Sequence, residues 1–393
     1  MTQPKKVFYI FLPLTIVLCF LFAFSPATAA TKMPNIIGLA TYPSGSKGYA
    51  IATGLSNAIQ KKSGIKVRAM PVGTNMARMK TVIKGEALLG AIYENGLYAA
   101  QGGFWSFLND GPQDLSMAWL GYIGNGVLMT RANSGIKTWD DIKGKRVSNY
   151  KDYDPGTGML VEAMLAWGEV SYSDVKSLPA TYKSGMVYLK DGKVDVAEGT
   201  ASAALVYEMA SSVHGIRLFE FDPNDKAAIK RFKSICPIAG PGKVPVGYGY
   251  SVEKPGNIIV FPGCFITRPS NDEELVYTVV MSIVEGYDLY KDSHPEAKYW
   301  SLESALNMDT MNLSGLPYHT GSVKAFKELG KWTDRHEKWQ QSRLAFKDTV
   351  REEYKRAVLD AKAKNIEQGT KAFEELWYPK FKALRVKLAL EEY

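Results

Sequence analysis

The sequence has little of what most catalytic and metal-binding chemistry requires. Its four histidines, His214, His294, His319 and His336, are scattered without metal-ligand spacing. It contains no Walker loop, no G-x-S-x-G elbow, no H-E-x-x-H helix and no pair of C-x-x-C elements. Three cysteines, Cys19, Cys236 and Cys264, are too few for a disulfide-dense scaffold. Cys236 and Cys264 are left either to pair or to stay as buried thiols. Beyond residue 24 no apolar run is long enough to span a bilayer. Basic residues do not cluster as a nucleic-acid footprint needs, because much of the excess lies in a C-terminal stretch where acids and bases alternate. Asp152 with Asp154 has the makings of an acid–base pair, yet a turn or a helix cap uses the same residues. These absences point to a binding protein rather than an enzyme, with no cofactor and no metal.

What is present begins with a leader. Lys5 and Lys6 precede an apolar run from Val7 to Phe24, and Ser25-Pro26-Ala27-Thr28-Ala29-Ala30 follows with small residues at cleavage spacing. This predicts a signal peptide over 1–30, cut after Ala29 or Ala30, and a periplasmic protein. An uncleaved anchor is the rival; Pro13 and the small-residue exit favour cleavage. Losing Lys5 and Lys6 takes the formal charge from +8 to +6.

The chain is organised around Ile36 to Ile59. A short apolar strand is followed by the polar loop Thr41 to Gly48, then by a helix with Tyr49, Ala52, Leu55 and Ile59 on one face. Ser44, Gly45, Ser46 and Gly48 fall where the first helical N–H groups lack partners, a position that favours an anion. An ordinary strand-to-helix turn with good capping residues reads the same way. The device recurs. A strand over 65–70 meets Gly73-Thr74-Asn75 and a helix over 76–84. A strand at Val147-Ser148 meets Asp154-Pro155-Gly156-Thr157-Gly158 and a helix through Trp167. A strand over 194–197 runs into Glu198-Gly199-Thr200-Ala201-Ser202, with helix from Tyr207 onward. Strands are also expected over 87–93, 216–221 and 258–267, the last preceded by an apolar run over 246–252, and helices over 182–190 and 273–290. Strands and helices alternating at this spacing imply mostly parallel sheets. From Lys331 on, charged helix formers carry two apolar stripes. Trp339, Phe346, Val350, Tyr354 and Val358 mark one, and Phe373, Leu376, Trp377, Phe381, Leu384 and Leu388 mark the other. Neither holds a strict heptad, so two amphipathic helices packed on the body are expected rather than a coiled coil.

Several of these segments resemble one family in their order and spacing. They are Thr41-Tyr42-Pro43-Ser44-Gly45, Gly73-Thr74-Asn75 with Lys84-Gly85, Trp139-Asp140-Asp141-Ile142-Lys143-Gly144-Lys145-Arg146-Val147, Gly156-Thr157-Gly158 and Leu189-Lys190-Asp191-Gly192-Lys193-Val194-Asp195. The most specific is Leu316-Pro317-Tyr318-His319-Thr320-Gly321-Ser322, similar to a P-x-H-x-G-A signature. Over about residues 34–332 the sequence resembles the TAXI solute receptors (TRAP-associated extracytoplasmic immunogenic) of TRAP transporters. The resemblance implies a two-lobed periplasmic-binding-protein fold of type II-like α/β class, here with mixed, mostly parallel sheets. With the pattern of elements it gives lobe 1 over 31–130, lobe 2 over 131–257 and a return to lobe 1 over 258–332, while the C-terminal helical extension over 333–393 goes beyond the family's common pattern. The partners it implies are a small organic anion, a carboxylate or dicarboxylate such as glutamate, and a TRAP-type membrane permease, with a monomeric receptor between them.

Carried over by position, the binding residues are Tyr42, Ser44, Ser46, Thr74 and Asn75 from the first lobe. Gly156, Thr157 and Gly158 come from the second, with Thr200 and Ser202 after them. Lys47 and Lys151 are candidates for a charged clamp, against a solvated surface role for each. The segment Asn149 to Asp154 is longer and more aromatic than the family's usual approach to its third loop. That puts Tyr150 and Tyr153 forward as cleft tyrosines suited to an aromatic ligand. His319 reads as a structural hydrogen-bonding histidine. Two other classes stay open: an enzyme on the same scaffold using Asp152, Asp154, Glu198 or a cysteine, and a ligand-loaded partner of a membrane sensor docking through the tail.

Overall fold

Each polar loop after a strand does start a helix, and in three of the four the reason is visible in a side-chain cap, from Ser46, Thr74 and Asp154. The computed structural model describes residues 1–2, 33–44, 46–93, 96–121 and 124–387, Tyr93 in its backbone only. The leader reading, Gly45 and the stripe residue Leu388 lie outside the described residues. Pro34–Tyr393 forms one compact unit. In it, β1 (Ile36–Thr41), α1 (Lys47–Ser63), β2 (Lys66–Pro71), α2 (Asn75–Ile83), β3 (Leu89–Tyr93), α3 (Gly96–Gly102) and β4 (Ser116–Leu120) come first. They are followed by β5 (Gly124–Thr130), β6 (Arg146–Asn149), α4 (Pro155–Trp167), β7 (Lys176–Pro179), α5 (Tyr182–Lys190) and β8 (Val196–Gly199). Then come α6 (Ala204–Ala210), β9 (Arg217–Leu218), α7 (Lys226–Ile235), β10 (Gly240–Val244) and β11 (Gly256–Phe261). The chain ends with β12 (Gly263–Thr267), α8 (Glu273–Glu285), α9 (Tyr287–Tyr290), α10 (Leu302–Ala305), α11 (Met308–Ser314), α12 (Thr320–Glu328), α13 (Asp334–Ala363) and α14 (Lys371–Lys387).

The strands form two sheets. One runs β2-β1-β3-β12-β4; the other runs β10-β11-β5-β8-β6-β7, with β9 beside β5. In each, three strands are parallel neighbours (β2, β1, β3; β7, β6, β8), and the strand inserted next to them, β12 or β5, is antiparallel. The sheets are therefore mixed, and antiparallel pairs are at least as frequent as parallel ones among the described strands. The expectation of mostly parallel sheets missed the strands that arrive by crossing from the other sheet. Those crossings also correct the boundaries. β5 and β11 both belong to the second sheet, so cuts at 130 and 257 pass through or beside its strands. The chain changes sheet after β4 and again between β11 and β12. The two crossings touch, the Gly121 amide donating to the Gly263 carbonyl at 2.8 Å. A Cβ on Gly121 would lie 2.2 Å from the Trp300 ring, so only glycine lets the indole cover this hinge.

Both faces of the second sheet are covered. Along β5, Val127 and Met129 join one apolar cluster with Met186, Leu189 and Val206, while Leu128 joins Val147, Leu160 and Phe232 on the other side. Around the first sheet, α1, α8 and α12 pack together, and α2 lies against β3. Other sequence readings change locally. The 216–221 strand shrinks to two residues, and 246–252 holds only a Gly247–Tyr250 bridge. The helix expected from Tyr207 starts at Ala204 and ends at Ala210. The 273–290 helix breaks at Gly286, where a Cβ would stand 2.5 Å from Ala58 on α1. Cys236 and Cys264 are buried, one in each lobe, and do not form a disulfide.

The C-terminal helices complete the core of the first lobe. Trp377 is fully buried and donates Nε1–H to the Gly102 carbonyl at 2.6 Å. Phe381 stacks edge-on against Tyr98 and Phe104. The side chain of Gln340 accepts from the Tyr318 amide and donates to its carbonyl, both at 2.8 Å, as an extra strand would. The arrangement is a two-lobed α/β fold with mixed sheets, a double crossover and a helical extension docked on one lobe.

Candidate functional site

The helix starts named by the sequence meet between the lobes. Ser46 caps α1 by accepting from the Tyr49 amide at 3.2 Å, and Thr74 caps α2 by accepting from Ala77 at 3.2 Å. Asp154 caps α4 by accepting from the Thr157 amide at 3.2 Å. Tyr42, in the loop before α1, donates its hydroxyl to Asn75 Oδ1 at 3.1 Å, which joins the first two starts. Gly48 makes room for that ring, since a Cβ there would lie 2.5 Å from it.

Two relationships cross from lobe to lobe. Asp154 is mostly buried, and burial pushes its carboxyl above the ordinary carboxylate range, while hydrogen bonds from Thr157 and the charge of Arg78 on α2 pull it back down. Ser202, at the entry to α6, donates to a carboxylate oxygen of Glu296 at 2.5 Å. The other Glu296 oxygen accepts from Lys47 Nζ on α1 at 2.7 Å, and the Glu296 side chain is fully buried. Through these pairs α1, α2, α4 and the approach to α6 border one junction.

The positions proposed from sequence fare unequally. Tyr42, Asn75, Ser46 and Thr157 are built into the junction. Thr157 is buried, and its hydroxyl also reaches the Asp154 carboxyl. Gly156 is buried at the same helix start. Gly158 has a packing reason: a Cβ would lie 2.8 Å from the Lys151 backbone. Thr200 is half-buried, sharing a 3.0 Å hydrogen bond with the Tyr182 hydroxyl. Ser44, Thr74 and Tyr153 are exposed. Tyr150 is not presented to a ligand. It is fully buried inside the second lobe, with its hydroxyl between the Glu198 amide and carbonyl and its ring lodged against Gly185. Lys151 forms an exposed ion pair with Glu162 at 2.9 Å, the solvated alternative. Lys47 takes neither assigned role, being tied to Glu296. His319 is structural: Nδ1 accepts from the Gly321 amide to cap α12, and Nε2 lies 3.2 Å from the Asn271 carbonyl.

Sequence reasoning missed Arg78 and Glu296. Arg78 had a readable signal, a charge three residues after Asn75 on the stripe that α2 buries with Met79 and Val82. Glu296 had none. It sits in a loop after His294-Pro295, and its partners lie 249 and 94 residues away. Among the described residues no group of three or more His, Cys, Asp or Glu could hold a metal.

Comparison with curated proteins gives no match. Solved structures are similar at low identity. The alkanesulfonate-binding protein SsuA from Xanthomonas axonopodis pv. citri, bound to MOPS, is 15% identical with a TM-score of 0.44, covering 81% of this chain and 94% of its own. The periplasmic aliphatic sulphonate binding protein SsuA from Escherichia coli is 15% identical with a TM-score of 0.43, covering 76% and 88%. The substrate binding protein of an amino acid ABC transporter is 12% identical with a TM-score of 0.40, covering 66% and 96%. The family assignment comes from the sequence itself. Residues 39–330, from the first strand to the end of the helix that His319 caps, match the NMT1-like family, and the chain belongs to it.

Proposed function

We propose that the protein is an extracytoplasmic solute-binding receptor that captures a small organic anion by closing its lobes and hands it to a TRAP-type permease. The carrying observation is the junction itself, where polar helix starts from both lobes meet and are held by the cross-lobe pair Ser202–Glu296. A double crossover hinged at Gly121 and Gly263 is the simplest device for opening and closing such a junction. Helix starts favour a carboxylate at their amides. Dicarboxylates such as glutamate and aromatic acids both belong to this class, and export through a cleaved leader to the periplasm fits it. The protein acts here as a monomer and not as an enzyme. Asp154 is engaged as a cap, and Cys236 and Cys264 are buried.

Native mass spectrometry of the leaderless protein, purified without refolding, tests this reading. A carboxylate released in one-to-one ratio supports it. An empty protein whose melting temperature is unmoved by a panel of dicarboxylic, aromatic and sulfonic acids overturns it, because binding to the folded state alone must raise stability.

A further inference from the structure

We propose that Arg78 is the residue that receives the anionic group of the captured solute. This rests on the receptor reading above and assigns its recognition to one side chain. Arg78 is 1% exposed. Its Nε–H donates to the Ala91 carbonyl at 2.9 Å, one η nitrogen donates to the Val72 carbonyl at 2.8 Å, and the other to Asn75 Oδ1 at 2.5 Å. All three acceptors are uncharged. A guanidinium carries five N–H donors, so two are left over among the described residues. Among the described residues no carboxylate lies within ion-pair distance of it, and one face of the group is covered by the Tyr42 ring, 3.6 Å from its centroid.

A buried cation held only by neutral acceptors is costly unless an anion joins it. The acid of the second lobe that feels its charge does not fill that role. Asp154 senses the Arg78 charge but gives its carboxyl to Thr157 at the start of its own helix. The lysine at the junction, Lys47, already faces Glu296. The helix starts are likewise occupied by their own caps at the third amide, which leaves Arg78, beside Asn75 on the first-lobe side of the junction, as a cation with donors to spare among the described residues. Its planar fork matches a carboxylate or sulfonate in two parallel hydrogen bonds, a match that lysine cannot reproduce. The backbone bonds to Val72 and Ala91 hold that fork in place before any solute arrives.

The test is isothermal titration of the leaderless protein with L-glutamate, 2-oxoglutarate, benzoate and methanesulfonate, with benzamide as the neutral counterpart of benzoate. The wild type binds at least one of these anions. Arg78→Gln weakens that anion roughly 100-fold or more, as expected for the loss of a charge-assisted bidentate pair. Arg78→Lys keeps the charge without the fork and weakens it roughly 10-fold. A purely structural role would lower stability in both variants without changing the preference for acid over amide, so that ratio separates the two. If Arg78→Gln does not fold, the ratio in Arg78→Lys decides. A variant that binds the same anion within about three-fold of wild type overturns the assignment of Arg78 and leaves the receptor reading intact. A wild type that binds no anion on the panel overturns both.

Discussion

The Ser202 hydroxyl and the Glu296 carboxylate, 2.5 Å apart, belong to different lobes, and Glu296 is at the same time bound to Lys47 of its own lobe. Glu296 therefore serves as an anion supplied by the protein, placed where a helix start of the second lobe meets α1. Its burial makes the contact sensitive. A carboxylate with no exposed surface depends on its partners to offset its desolvation, so parting the lobes removes one hydrogen bond and admits water to the pair.

Loss of this contact is expected to open the ligand-free protein. Ser202→Ala removes a hydrogen bond to a charged group, worth about 1.5–3 kcal/mol, and leaves the Lys47–Glu296 pair in place. Glu296→Ala takes the buried carboxylate away from Lys47, whose side chain is 19% exposed, and costs about 3–5 kcal/mol as a broken buried pair. Small-angle scattering should show a larger radius of gyration for Ser202→Ala than for wild type, both without ligand. Identical scattering curves would mean that the contact follows closure rather than holding it.

The histidine that caps α12 sets a pH dependence. Nδ1 of His319 must accept from Gly321, so the capping form is neutral, and burial lowers its pKa from the ordinary 6.5. Above pH 6.5 the folded and unfolded chains both hold it neutral, and it contributes no slope. As pH falls below that value the unfolded chain takes up the proton first, so stability drops until the folded pKa is reached. His294, half-buried beside Glu296 and Lys47, is shifted in the same direction by desolvation. His319→Asn retains a capping side chain that does not titrate. Urea denaturation between pH 5 and 7.5 should show the variant losing less stability with acid, by up to about 1.4 kcal/mol per pH unit. Parallel profiles would show that His319 does not titrate in this range.

How far the sequence carried the reading depends on the distance between the groups involved. The strand-to-helix starts were legible because a cap and its amide are neighbours in the chain: Ser46, Thr74 and Asp154 each act three residues ahead. Helix α5 runs from Tyr182 to Lys190 as expected, its end marked in the sequence by Asp191-Gly192. The double crossover was misplaced because β5 and β11 are apolar in the same way as β4 and β12, and periodicity does not say which sheet a strand joins. Tyr150 was misjudged for a related reason. A tyrosine in a polar loop looks exposed until Gly185, 35 positions later, is seen to make room for it. The junction's charges were the least legible part. Arg78 and Asp154 lie on different lobes, and Glu296 reaches its partners only through the closed fold.

The tail offers the last test, since the structure makes it part of the core. Trp377 has no exposed surface, its indole N–H is bound to Gly102, and Tyr354 and Phe381 pack against its ring. Trp377→Ala is expected to cost about 3–5 kcal/mol, from the cavity and from the Gly102 carbonyl left without its donor. Truncation after Trp332 does more. It uncovers Tyr98 and Phe104, and it takes away Gln340, which serves both backbone groups of buried Tyr318. The shortened chain should aggregate on expression or unfold at far lower urea than wild type. Tail helices that served only to dock a partner would leave the body's unfolding midpoint unchanged when removed. A truncated protein with wild-type stability would therefore show that α13 and α14 rest on the first lobe without holding it together.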